Sequence, residues 1–322
     1  MVAGTLFALA AGLMWGLVFI GPLLLSDYPA AMQSFGRYLA FGLIALPLAV
    51  LDRRGLAQLT RADWSEALKL ALVGNVIYYL FLASAIQRAG GPLPTMIIGT
   101  LPVVIAISSN IRDAQRDGRL PWLKLLPSLA LIATGIACVN QVEVAHLRAD
   151  AHADAQAYAT GALLAVGAVV CWTWYPIRNA DWLRAHAERS PRTWATAQGV
   201  ATLPLALLGF AGFWVYSSSS GSPFPMPLGP RPWHYLGLMF AIGLFASWLG
   251  TLCWNEASQR LPTTLTGQLI VFETLSALAY AFALRGRAPD PLTLAGIALL
   301  VAGVIWALRI KPQSVPGEPA AH

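Results

Sequence analysis

The chain has 322 residues, 57% of them hydrophobic and 11% charged, with a mean hydropathy of +0.60 and a net charge of +6. A soluble domain carries about 25% charged residues, so this composition excludes a water-exposed globule and calls for a lipid-covered surface. The positive balance does not point to nucleic acid, because the basic residues sit in short loops between apolar runs.

A helix crosses a bilayer with about 20 mostly apolar residues at ~1.5 Å each. Ten runs meet that length: 3–25, 30–51, 66–86, 92–111, 122–141, 158–179, 193–216, 233–257, 262–284 and 291–309. The sequence therefore predicts an all-α integral membrane protein with ten transmembrane helices. No basic segment precedes the first run, so no cleavable leader is expected. Most connections are short, which makes consecutive helices antiparallel neighbours. Residues 142–157 are polar and mildly acidic and are predicted as an external loop joining residues 1–141 to residues 158–311. Residues 217–232 are rich in Ser, Gly and Pro and are predicted to be flexible. Residues 312–322 contain prolines and a glycine but no apolar run, and are predicted as a disordered cytoplasmic tail. Cys138, Cys171 and Cys253 lie in separate apolar runs and read as packing residues. His146 and His152 in the acidic loop lack metal-ligand spacing. No HExxH, P-loop or nucleophile-elbow pattern occurs, so neither cofactor, metal nor enzymatic activity is expected.

Loops after even-numbered runs, with the C-terminal segment, hold 13 Lys and Arg, against 5 in loops after odd-numbered runs. The positive-inside rule then predicts two cytoplasmic termini, with 142–157 and 217–232 outside. An internal echo accompanies this topology. Residues 83–88 (ASAIQR) are followed by Pro92 and Pro94, and residues 255–260 (NEASQR) by Pro262. Both stretches read as helix, Gln-Arg hinge, proline restart and helix. Residues 131–135 resemble 299–303, and Trp15 has a counterpart in Trp172. Each half would hold an odd number of spans, so the second must enter the membrane upside down relative to the first. Two inverted five-helix repeats are the predicted architecture, one that secondary transporters use with the substrate bound at the repeat interface. Gln87, Pro92 and Pro94 in one half, and Asn255, Gln259 and Pro262 in the other, are the predicted gate hinges on opposite faces.

Deep polar residues are the candidates for chemistry. Glu273 stands about 11 residues into the ninth run, ~16 Å from its inner end. An ionised carboxylate at such depth costs about 2.5–3.5 kcal/mol on insertion scales. It reads either as a site for a proton or a substrate ammonium, or as a hydrogen-bonded packing residue. Arg37 lies about 7 residues, or ~10 Å, from the outer end of the second run. It either lines a cavity or snorkels outward. The two depths differ by about 4 Å along the membrane normal, which leaves open whether they pair. Trp15, Tyr78, Tyr79, Trp172, Tyr175 and Trp248 fall away from run ends, whereas Trp122, Trp182 and Trp233 sit at ends and read as belt anchors. The central set, with Asn75 at i−4 from Tyr79 and Gln268, is expected to wall a substrate cavity. Gly12 and Gly16 form a GxxxG in the first run, which permits close helix contact. The expected partners are a small-molecule substrate, the lipid bilayer and, as coupling ion, a proton. A sugar-phosphate or nucleotide-sugar carrier would need several buried cations, and only Arg37 lies deep. An intramembrane enzyme would need a nucleophile–base pair or a metal cluster at depth, and the sequence offers neither.

The motifs at 11–16 (AGLMWG), 37–40 (RYLA), 101–103 (LPV) and 272–273 (FE), with Gly135 and Gly303, occur in an order and spacing that resembles the drug/metabolite transporter superfamily in its ten-helix EamA-type branch. The resemblance spans roughly residues 3–309 and implies secondary transport of a small metabolite out of the cytoplasm across the inner membrane. Residues 172–175 (WTWY) and 254–255 (WN) are similar to stretches of the aromatic amino acid exporters, which implies amino acids as substrates. Departures are the basic or neutral stretches after runs four and nine, and Thr274 where the family places a proline.

Overall fold

The computed structural model describes residues 2–89, 92–112, 121–148, 155–286 and 288–310, and among them there is no strand. The helices are α1 (Val2–Leu24), α2 (Ala30–Leu51), α3 (Arg61–Ala89), α4 (Pro92–Ile98), α5 (Leu101–Arg112), α6 (Trp122–Arg148), α7 (Ala155–Ala185), α8 (Pro191–Ser219), α9 (Pro232–Arg260), α10 (Thr263–Leu269), α11 (Val271–Arg285) and α12 (Pro291–Leu308). A single turn at Arg53–Leu56 lies between α2 and α3. Seven stretches are long and apolar enough to cross a bilayer: α1, α2, α3, α7, α8, α9, and Leu265–Leu284 within α10 and α11. Shorter apolar helices occur at Leu101–Arg112, Trp122–Cys138 and Pro291–Ala307. Large apolar side chains such as Leu51, Leu123, Leu163 and Leu208 project outward, a surface suited to lipid rather than water.

Local chemistry sets the helix ends. Thr60 and Asp63 form a reciprocal capping box, which starts α3 five residues before the apolar run. Proline occupies the first turn of α8, α9 and α12, where its missing N–H has no intrahelical partner to lose. α11 stops at Gly286, which adopts the left-handed conformation (φ 61°). Leu261 is extended ahead of Pro262, which ends α9 and opens α10.

Three apolar runs are not uniform helices. The first tightens to a 3-10 turn at Gly16–Phe19. The run at 92–111 breaks between Ile98 and Leu101, where Pro102 cannot donate and the Thr100 hydroxyl bonds the Ile97 carbonyl at 2.7 Å. The run at 262–284 breaks at Ile270, whose carbonyl receives the Glu273 N–H at 2.9 Å. Two long helices widen to π geometry, α3 at Ala71–Ile77 and α9 at Gly243–Leu249. Both boundaries of the second segment lie 172 residues after those of the first, the same offset that relates 83–88 to 255–260.

Helix packing shows a matching reciprocity. α2 packs along α8, α5 against α10, and α6 along α12, while α1 packs on the end of α9 and α7 on the end of α3. Glycines set the closest of these contacts. A Cβ on Gly135 would lie 2.5 Å from the Gly296 carbonyl, and one on Gly303 2.9 Å from that of Ser128. The Ser128 hydroxyl also donates to the Gly303 carbonyl at 2.8 Å.

Two connections differ from the sequence expectation. α6 continues to Arg148 and α7 begins at Ala155, so most of the 142–157 segment is helical. Residues 217–232 are a folded strap rather than a flexible linker. Tyr28, between α1 and α2, donates to the Leu228 carbonyl at 2.9 Å and accepts from the Arg231 N–H at 2.8 Å. Its ring stacks on Tyr235 at 4.9 Å and meets Phe224 edge-on at 5.3 Å. The Arg231 side chain binds Asp27 through two nitrogens and the Leu24 carbonyl at 3.0 Å. The strap carries few spanning residues of its own, and its order comes from these ties. Residues 311–322, including the predicted tail, lie outside the described residues, as do His152 and the His146 side chain.

Candidate functional site

Two opposite charges are buried within the bundle. Arg37 on α2 is 5% exposed and Glu273 on α11 is 2% exposed. Arg37 does not snorkel. Gly36 lies against the Tyr235 ring, and a Cβ on Gly243 would come within 3.0 Å of the Phe41 nitrogen, so α2 and α9 run close together. That approach turns Arg37 inward, where its Nε donates to the Ser247 hydroxyl at 3.0 Å. Its guanidinium lies 4.6 Å from the Tyr79 ring centroid and 4.9 Å from that of Tyr38, a cation–π arrangement. Its Nη1 has no hydrogen-bond partner.

Glu273 stands in the first turn of α11, just past the break at Ile270. The glycines of α1 press on this turn. A Cβ on Gly12 would lie 2.9 Å from Phe272 Cβ and 3.0 Å from the Glu273 nitrogen, and one on Gly16 would lie 2.9 Å from the Ala277 nitrogen. Glu273 faces the Trp172 indole and interacts electrostatically with Arg37 and Tyr78, yet its Oε2 makes no hydrogen bond. No ion pair joins it to Arg37 among the described residues.

An aromatic stack adjoins both charges through Trp172 and Tyr78. Tyr78 stacks on Trp172 at 4.6 Å, and Trp172 stacks on Tyr175 at 5.0 Å. Trp15 meets Trp172 edge-on at 5.0 Å and Trp254 at the same distance. Buried polar groups are nearly always hydrogen-bonded in folded proteins. Here Arg37 Nη1 and Tyr78 OH are without partners, as are Trp254 Nε1 and both amide atoms of Gln268, while the Glu273 carboxylate has only the Trp172 indole beside it as a side-chain donor. These donors, the Glu273 carboxylate and the aromatic side chains come from α2, α3, α7, α9, α10 and α11.

The remaining predicted residues are spread over several helix contacts. Tyr79 donates to the Val18 carbonyl on α1 at 3.3 Å. Asn75 binds Thr202 on α8 at 3.3 Å. Trp248 directs its indole N–H to Thr196 at 3.4 Å and lines a groove on the lipid-facing side. Gln87 donates to the Tyr28 carbonyl at 2.6 Å and accepts from the Ala30 N–H at 2.9 Å. Gln259 donates to the Arg189 carbonyl at 3.2 Å. Each glutamine thus ties the end of its helix to the neighbouring interhelix turn, α1–α2 in one case and α7–α8 in the other. The two ties lie at opposite ends of α1: Gly4 touches Leu261, while Tyr28 lies past the other end. Asn255 accepts from Asn179 at 2.8 Å and donates to the Pro191 carbonyl at 3.3 Å. Pro94 is buried, Pro262 caps α10, and the Pro92 side chain lies outside the described residues.

Trp182 is not a belt anchor. It stacks on Trp194 at 3.4 Å and donates to Asp63 at 2.8 Å, within a polar seam of α3, α7 and α8 that includes the Arg178–Glu66 pair. Trp233 is 82% exposed at the start of α9, as a belt residue should be. Sequence reasoning missed Tyr38, Ser247 and Trp254. Trp254 had a usable signal, as the tryptophan directly before the hinge residue Asn255; Ser247 had none.

Residues 2–140 match the model of the EamA-like transporter family. The inner membrane protein YtfF of Escherichia coli strain K12 is 54% identical over 313 residues, spanning 97% of each chain. The uncharacterized transporter YetK of Bacillus subtilis strain 168 is 22% identical over 316 residues, covering 98% of this chain and 89% of that one. A probable terminal-alkyne amino-acid exporter of Streptantibioticus cattleyicolor is 33% identical over 158 residues, 41% of this chain and 52% of that one. A solved crystal structure superposes with a TM-score of 0.68 at 18% identity, over 95% of this chain and 96% of the other, which shows a shared fold.

Proposed function

Because the chain belongs to the EamA-like transporter family of the drug/metabolite transporter superfamily, we propose that it exports a small zwitterionic metabolite of the amino-acid class across the inner membrane by alternating access. In this reading ten spans form two inverted five-helix halves, residues 1–141 and 158–311, with both termini cytoplasmic. The observation that carries the proposal is the pair Arg37 and Glu273. They are buried in one bundle, oppositely charged, unpaired with each other, and flanked by unpartnered polar atoms. A zwitterion satisfies both, its carboxylate at Arg37 and its ammonium at Glu273. The coincident π segments, the reciprocal helix contacts and the two glutamine ties support the two-halved arrangement. The amino-acid exporter among the partial relatives supports the substrate class. The rings from Tyr78 to Tyr175 are already in contact, which favours a compact side chain over an aromatic one.

A sugar-phosphate carrier fits less well. Arg37 is the buried arginine among the described residues, and a phosphate calls for several such donors. The test is a mass-spectrometric comparison of metabolites released by cells overexpressing the wild type, Arg37→Gln and Glu273→Gln. Release of an unmodified amino acid by the wild type alone supports the reading. Release of phosphorylated metabolites, or of an amino acid by all three, overturns it. Purified protein in liposomes separates transport from enzymatic change of the solute.

A further inference from the structure

A groove of about 870 Å³ lies on the bilayer-facing side between α2 and α9, away from the stack around Trp172. Its walls include Leu43 and Pro47 on α2, Phe210 on α8, and Tyr235, Gly237 and Trp248 on α9. The two polar aromatics turn their polar atoms away from it. Tyr235 donates its hydroxyl to the Met32 carbonyl at 2.7 Å, and Trp248 directs its N–H to Thr196. What faces the groove is ring surface and aliphatic carbon. Water would find no partners there, and an unfilled cleft forfeits dispersion contacts.

Gly237 makes the groove legible as a built feature. Of the glycines on α2 and α9, Gly36 and Gly243 lie against the opposite helix, whereas a Cβ on Gly237 would meet nothing within 4 Å. A mid-helix glycine costs roughly 1 kcal/mol relative to alanine, and no close packing here requires it. Its effect is to deepen the space.

We propose that this groove holds an acyl chain of a bilayer phospholipid. The rim side chains Leu43 and Phe240 are more than half exposed and continue the lipid-facing surface directly into the groove. Membrane helices pair through flat stripes of small residues. This groove is instead fenced by projecting leucine and phenylalanine, so a rigid helix from a second copy does not enter, and a flexible chain does. Behind the floor, Gly36 and Trp248 adjoin Arg37 and Ser247 in sequence, so the bound chain braces the α2–α9 seam that carries the Arg37–Ser247 hydrogen bond.

The test is quenching of tryptophan fluorescence in vesicles of phosphatidylcholine with brominated acyl chains. Trp248→Phe identifies the Trp248 component by difference. That component is expected to be quenched in the wild type, and the quenching to fall stepwise in Gly237→Leu and Gly237→Phe, whose side chains fill the groove. Folding is checked by thermal unfolding in detergent, with Gly237→Ala as a small-volume control. Trp248 quenching that is absent in the wild type, or equal in folded Gly237→Leu and the wild type, overturns the proposal. So does a wild-type dimer in detergent that Gly237→Leu dissociates, since the occupant would then be a second copy. Substrate release plays no part in this readout, so the lipid site and the transport reading fail separately.

Discussion

Arg37 gives its Nε to Ser247 and its faces to two tyrosines, which leaves Glu273 without a cationic partner in contact. Breaking a buried ion pair costs about 3–5 kcal/mol, and here there is none to break. Glu273→Gln is therefore expected to fold with near wild-type yield while abolishing pH-driven flux in proteoliposomes, because the amide keeps the shape and loses the titratable carboxyl. A fall in yield that Arg37→Gln restores would instead mark the two as a structural pair. Gly12 and Gly16 behave oppositely under substitution. Their missing Cβ atoms face backbone of α11 that cannot step aside. Gly12→Leu and Gly16→Leu are expected to destabilise by roughly 1–3 kcal/mol or more, seen as a lowered thermal midpoint in detergent. The burial of Glu273 was legible in the sequence, because a carboxylate inside an apolar run has few places to go, whereas for Arg37 the sequence does not decide between a cavity and the surface. Their separate partners were not legible, because helix rotation decides those, and Ser247 and Tyr38 carry no distinctive pattern.

The strap at 217–231 stays closed through contacts of unequal weight. The exposed Asp27–Arg231 pair is worth ~0–1 kcal/mol, while Tyr28 combines two hydrogen bonds with a stacked ring. Tyr28→Phe loses both bonds at about 0.5–1.5 kcal/mol each, so it is expected to speed proteolysis of the strap more than Asp27→Asn does. Arg231, hydrogen-bonded to Asp27, holds that carboxyl below its usual range. A depressed folded pKa means the contribution is complete above the ordinary value and is lost as pH falls through the folded one. Strap cleavage is thus expected to be unchanged between pH ~7 and ~5, since both lie above the ordinary carboxylate value. A strap that loosens in that window would require another titrating group. The two glutamine ties predict opposite responses. Gln87→Ala is expected to expose the bundle interior to thiol reagents from the strap end, and Gln259→Ala from the Arg189 end; equal exposure from one end in both would refute the gating role. Hydrophobic length located the seven stretches long and apolar enough to cross a bilayer, but it read 92–111 as one run and gave no sign of the break before Pro102. Periodicity failed in α3. Asn75 and Tyr79 sit one α-helical turn apart yet reach α8 and α1 respectively. The i→i+5 bonding at Ala71–Ile77 takes up an extra residue and rotates the later part of the helix about its axis. The strap was misread because its order comes from distant partners, Tyr28 and Asp27, and not from its own composition.

Across the whole molecule, the two glutamine ties lie at opposite ends of α1, as a two-ended gate requires. The basic residues concentrate at the Arg189 end, so that end is proposed as cytoplasmic. Single cysteines at Ala151 and Ser219, in a background lacking Cys138, Cys171 and Cys253, are expected to react with an impermeant thiol reagent in intact cells. Reaction only after lysis would invert the topology. The matched π segments carry a further consequence, for the history of the gene. A one-residue insertion in an α-helix leaves an i→i+5 turn. Two separate insertions would have to fall 172 residues apart by chance. One insertion in an ancestral half, before duplication, needs no such chance. On the two-halved reading the wide turn is older than the full-length chain, and a five-helix relative descended from that ancestor should carry it in its third helix.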